Sequence, residues 1–86
     1  MQFLLCQIGK EYFALDALQV QKITGRLPVS RLPYVAAYVD GMVNVDGEVI
    51  AQLHLSRLLN IKAEGEGELV VINVDGYLMA LIVDKA

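Results

Sequence analysis

Few side chains in this 86-residue chain are able to do chemistry. Nucleophilic catalysis needs a thiol or hydroxyl within hydrogen-bond reach of a base, and the single cysteine, Cys6, with the single histidine, His54, is the nearest approach to such a pair. Cys6 lies inside the apolar run Phe3-Leu4-Leu5-Cys6-Gln7-Ile8, where a free cysteine acts as a small hydrophobe. His54 alternates with Leu53 and Leu55, so it leaves the strand on the side opposite the leucines, toward solvent or an interface. One cysteine and one histidine do not make a zinc set. Glu64, Glu66 and Glu68 alternate with small residues, but a hard-cation loop needs several oxygen ligands converging on a tight turn, so the stretch reads as a solvated acidic loop. Gly65 and Gly67 sit among those glutamates, which repel phosphate, and no Gly-Lys-Ser/Thr follows. No catalytic residue, metal or cofactor is expected.

The elements that must carry these residues are hairpins. Asp46-Gly47 and Asp75-Gly76 each separate two apolar runs, the strongest short-range hairpin signal, and aspartate is favoured there because it tolerates left-handed geometry and bonds its own backbone. A third hairpin turns at Gly9-Lys10. The three span 3–15, 41–55 and 69–83, and the almost unbroken apolar runs of the last predict strands covered on both faces. Between them, Asp16 stands as an N-cap with Leu15, Leu18, Val20 and Ile23 at helical spacing, which predicts a short helix ended by Gly25. Pro28 and Pro33 bracket an extended edge or loop, because proline cannot donate into a ladder. Ser56 is placed to cap a second helical turn through Leu58 and Leu59, and 62–68 is a glycine-rich loop. The fold class predicted is all-β: a small β-barrel or curled antiparallel sheet of hairpins with one or two short helical turns.

Composition narrows the function. Hydrophobic residues make up 56% of the chain, with a mean hydropathy of +0.49, above the usual apolar share of a soluble domain. Charge-free stretches such as Leu32 to Val39 and Tyr77 to Val83 nevertheless fall far short of the roughly 18 residues of a membrane span, so no membrane insertion is expected. The N-terminus shows no secretory signal pattern, and a cytoplasmic location follows. The formal net charge is −3 and the seven lysines and arginines are dispersed. A nucleic-acid surface needs them gathered.

From Phe3 to Leu59, and again over Leu69 to Val83, the order of features resembles the CheW-like domain family of chemotaxis coupling proteins. Phe3, Gly9, Tyr12, Phe13, Leu15 and Asp16 are similar to the family's opening strand, turn and strand, and Val20-Gln21-Lys22-Ile23 resembles its Val-x-Glu-Ile segment. Arg31-Leu32-Pro33 with Tyr38-Val39-Asp40-Gly41-Met42-Val43-Asn44 is similar to its most specific run, Arg/Lys-x-Pro, an aromatic, then Gly-Val-x-Asn-x-Arg-Gly. Val49-Ile50 and Leu53-His54-Leu55 resemble its Val-Ile-Pro-Val-x-Asp-Leu continuation, with Ala51 in place of proline.

The resemblance implies a non-catalytic adaptor that joins the cytoplasmic tip of a chemoreceptor to the regulatory domain of a chemotaxis-type histidine kinase. The contact residues it implies are Asn44, Asp46 and Gly47 at a hairpin tip, with Arg31, Val20 and Ile23 nearby, although Val20 and Ile23 also suit plain core. The family's arginine is Asp46 here, which implies an altered electrostatic preference for partners. Family domains hold two similar barrels, and residues 1–86 match about the first two-thirds, so unpaired edges are expected to favour association of two copies, each completing the other. A self-associating homodimer that no longer couples a kinase is therefore the alternative function. A third, a sensor holding an apolar ligand in the barrel, finds no convergent polar groups to orient one.

Overall fold

The computed structural model describes all of residues 1–86. Strands β1 (Phe3–Ile8) and β2 (Glu11–Asp16) form a two-stranded ribbon. Strands β3 (Val20–Thr24), β4 (Val29–Ser30), β5 (Val39–Val45), β6 (Glu48–His54), β7 (Glu68–Val74) and β8 (Tyr77–Val83) form a six-stranded sheet in the order β3-β7-β8-β6-β5-β4. One four-residue helix, α1 (Leu55–Leu58), follows β6. The three predicted hairpins are β1–β2, β5–β6 and β7–β8. Both Asp-Gly turns have positive φ at their two central residues, +52° and +90° at Asp46 and Gly47, and +53° and +87° at Asp75 and Gly76. That is the turn whose twist matches the flanking strands.

The sheet is not purely antiparallel as expected, since β6 and β8 pair in parallel, Ala51 with Met79 through His54 with Ile82. The chain leaves β6 through α1 and a loop, crosses to β7, and returns as β8 between β7 and β6. The helix predicted over 16–23 is a single 3-10 turn, Ala17–Gln19, capped by Asp16 through Leu18 N–H at 3.0 Å, and Val20–Thr24 is strand β3. The register slips between Val20 and Lys22, so Val20 stands opposite Ile72 and Ile23 opposite Val70. With one residue bulged out, a spacing of three puts both apolar side chains on the same face of a strand. The helical spacing in the sequence reflects that bulge. Ser56 lies buried inside α1 and its hydroxyl does not cap it.

Burial on both faces of β7 and β8 is literal. Leu69, Val71, Ala80 and Ile82 pack with Val43, Val45 and Ile50 on one side. Val70, Ile72, Leu81 and Val83 pack on the other with Cys6 and Ile8 from the ribbon, which is laid across that face. The end of the ribbon is tied to the sheet by Gln7 N–H donating to Lys85 O at 2.7 Å and Asp84 N–H donating to Gln7 O at 2.9 Å.

The first face is enclosed by curling. Asp46 lies in the β5–β6 turn and Lys22 in β3, three to four strand spacings apart, about 14 to 19 Å on a flat sheet. Their side chains nevertheless meet at 2.8 Å. The sheet therefore bends round until its β3 edge approaches the β5–β6 tip, a partly closed barrel with Val43, Val45, Ile50 and Val71 inside.

Candidate functional site

The β5–β6 tip projects from the curled sheet and carries three of the residues singled out from the sequence. Asn44 Oδ1 accepts from Gly47 N–H at 2.9 Å, locking the turn from inside, and Asp46 is exposed at its apex. Lys22 Nζ donates to Asp46 Oδ2 at 2.8 Å, with the two side chains 41% and 72% exposed. In the family pattern the corresponding residues are a glutamate, in Val-x-Glu-Ile, and an arginine, in Asn-x-Arg-Gly. Both charges are reversed here, and the two reversed residues face each other. The sequence displayed both departures, but only folding of β3 toward the tip shows that one compensates the other.

Val20 and Ile23 flank Lys22 on β3. Val20 is half-buried against Ile72 and its neighbours, a core role, and Ile23 is 43% exposed. Arg31 does not join this group. It follows β4, whose Ser30 stands opposite Met42, at the Gly41 end of β5 and about five strand residues, or some 17 Å, from the tip. The six residues expected to act together thus divide between two ends of β5.

At the Arg31 end, the structure assembles a polar cluster that sequence reasoning missed. A bulge between Val39 and Gly41 leaves Asp40 without a direct partner and turns it toward β6. Its Oδ2 accepts from Gln52 Nε2 at 2.9 Å and faces His54 Nδ1 at 3.1 Å, while its Oδ1 accepts from Arg57 at 3.2 Å. Because an ionised carboxylate only accepts, the compatible tautomer of His54 carries its proton on Nδ1. His54, expected to face solvent or an interface, lies largely buried against Asp40, its imidazole being 15% exposed. A signal was present: pairing Val45 with Glu48 and counting back from the Asp-Gly turn brings Asp40 level with Leu53, between Gln52 and His54. Gln52 is fully buried, and its Oε1 has no hydrogen-bond partner.

Asp84 holds a second junction. Its Oδ2 accepts from Gly9 N–H at 2.5 Å and Glu64 N–H at 2.8 Å, pinning the β1–β2 turn and the 62–68 loop to the end of β8. Burial alone would push this carboxyl up, but backbone donors from Gly9, Glu64 and Gly65, with His54 nearby, together hold it below its ordinary value of 3.8. Cys6 is fully buried, and burial, aided by the Glu68 carboxylate, pushes its thiol up, which keeps it protonated and unreactive. The glutamates of the acidic loop do not converge, Glu68 being the first residue of β7.

The family model described as the CheW-like domain matches residues 2–86. A chemotaxis protein CheW of Treponema pallidum (strain Nichols) is 26% identical over 91 aligned residues, covering 98% of this chain and 54% of that protein. The chemotaxis protein CheW of Rhizobium meliloti (strain 1021) is 28% identical over 81 residues, covering 91% of this chain and 52% of that protein. Among solved structures, the scaffolding protein TtCheW from Thermoanaerobacter tengcongensis superposes with a TM-score of 0.89 at 20% identity, covering 96% of this chain and 59% of that one. The chain spans about half the length of the curated relatives it matches.

Proposed function

The chain belongs to the CheW-like domain family, and from that premise we propose that it is an adaptor of chemotaxis-like signal transduction, joining a receptor's cytoplasmic tip to a histidine kinase's regulatory domain. The family is one of non-catalytic scaffolds, and the chain is not an enzyme. No helix is long and apolar enough to cross a membrane, and we place the adaptor in the cytoplasm.

The observation that carries the reading is the exposed β5–β6 tip, which presents Asn44, Asp46 and Gly47 where the family's most specific run stands. The Lys22–Asp46 pair marks one edge of that contact. Because charges at an interface rim steer encounter and penalise wrong partners, the reversed polarity favours a kinase domain or receptor whose facing charges are reversed as well.

The test is gel filtration with light scattering of the chain mixed with a kinase regulatory domain from the same organism. A mixed complex is expected, weakened about tenfold or more by Asp46→Arg. Two separate peaks at tens of micromolar would contradict the coupling role.

One observation favours self-association as a second reading. The outer face of the β1–β2 ribbon shows Phe3, Leu5 and Tyr12 at 58%, 59% and 61% exposure, three large apolar side chains on one face of a two-stranded ribbon. A homodimer joined there would appear in the same experiment as a doubled mass without added partner.

A further inference from the structure

The Asp40 cluster forms the floor of a cavity of about 310 Å³ that opens between the segment around β4 and strand β6, with Arg26, Arg31 and Arg57 in its walls. At about 30 Å³ per water molecule this is the space of roughly ten waters. It suits a small molecule at the low end of ligand pockets and excludes a helix.

Three guanidiniums face one carboxylate, an excess of two positive charges in a chain whose net charge is −3. The carboxylate is already committed, since Asp40 engages Gln52, His54 and Arg57 with both oxygens. Arg26 makes only a 3.4 Å bond to Glu66 O, and Arg31 makes none within the chain. Arginine forks left free of carboxylates around a concavity match oxyanions.

The arginines refine the class. A phosphate monoester gathers a charge of about −1.5 to −2 and three acceptor oxygens on one centre, whereas a single carboxylate brings one charge and two oxygens. Three guanidiniums around so small a concavity match the former. Gln52, oriented by Asp40 through Nε2 and with its Oε1 buried, closes the floor beneath.

We propose that this cavity is a binding site for a small phosphate monoester, gripped by Arg26, Arg31 and Arg57 over the Asp40–Gln52–His54 floor. The site lies at the opposite end of β5 from the tip, so its occupancy is independent of the adaptor reading.

The test is an NMR titration of the isolated chain at constant ionic strength with inorganic phosphate, then phenyl phosphate, then malonate. Saturating shifts confined to the surroundings of residues 26, 31, 40, 52 and 57 are expected for both phosphates, with malonate at least tenfold weaker. Arg26→Ala/Arg31→Ala, which alters two exposed side chains, should weaken phosphate at least tenfold while leaving resonances elsewhere unmoved. Shifts that fail to saturate, that spread equally to Lys10, Lys62 and Lys85, or that survive the double substitution would overturn the site. Malonate binding as tightly as phosphate would overturn the phosphate class.

Discussion

Lys22 and Asp46 carry charges opposite in sign to those of the family pattern, and at 2.8 Å they satisfy each other before any partner arrives. Exposed pairs of this kind contribute about 0.5 kcal/mol, so under the proposed adaptor role their main consequence is for recognition. Lys22→Glu and Asp46→Arg should each lower stability slightly by placing like charges together. The double substitution should recover it, with a coupling of up to about 2 kcal/mol in urea melts, since each single reversal swaps attraction for repulsion, and that coupling should fade at high salt. The same double variant should bind a kinase domain of ordinary family polarity more tightly than the parent chain does, measured by calorimetry. Asp84 acts differently because its partners are the backbone N–H groups of Gly9 and Glu64. Its carboxyl is depressed in the folded chain, so its contribution is fully present above the ordinary value of 3.8 and is lost as pH falls through the folded value. Asp84→Ala should cost about 3 kcal/mol at pH 7, and the gap from the parent chain should shrink steadily in melts taken below pH 4.

The elements show which parts of the fold were legible and why. The hairpins were readable because turn chemistry is local: Asp-Gly demands positive φ, and both turns adopt it. Strand β3 was not, because a bulge at Gln21 converts the strand's period of two into the spacing of three shared by Val20 and Ile23, and nothing local distinguishes that from a helical turn. The parallel β6–β8 pairing and the curl that joins Lys22 to Asp46 are long-range, and no neighbouring residues encode them. The Asp40 cluster was half-legible, since hairpin counting aligns it, but the bulge that turns Asp40 toward Gln52 and His54 is tertiary. Gly41 serves that bulge. Its φ is +142°, and a Cβ there would lie 2.1 Å from Ser30 O, inside the contact that holds β4 against β5. Gly41→Ala should therefore cost about 3 kcal/mol or more and loosen β4. Gly47→Ala meets no atom within 4 Å and should cost about 1 kcal/mol, from its φ alone. Thermal unfolding of the two variants side by side separates close approach from backbone strain.

Across the whole molecule, the two faces of the sheet have different fates. One is closed by curling, the other by the ribbon, and the ribbon leaves Phe3, Leu5 and Tyr12 outward. The contact tip and the arginine-walled cavity occupy opposite ends of β5, so one scaffold offers a partner surface and a ligand site without requiring either to move. The apolar content noted from composition is thus only partly absorbed by the core, and part of the remainder is exposed on the ribbon. The most direct measurement of that account is the solution mass of the chain by light scattering, alone and mixed with the regulatory domain of a chemotaxis-type kinase from the same organism. A mixed complex that Asp46→Arg weakens is the predicted result. A dimer that ignores the kinase domain, or a monomer that binds nothing, would contradict the adaptor role.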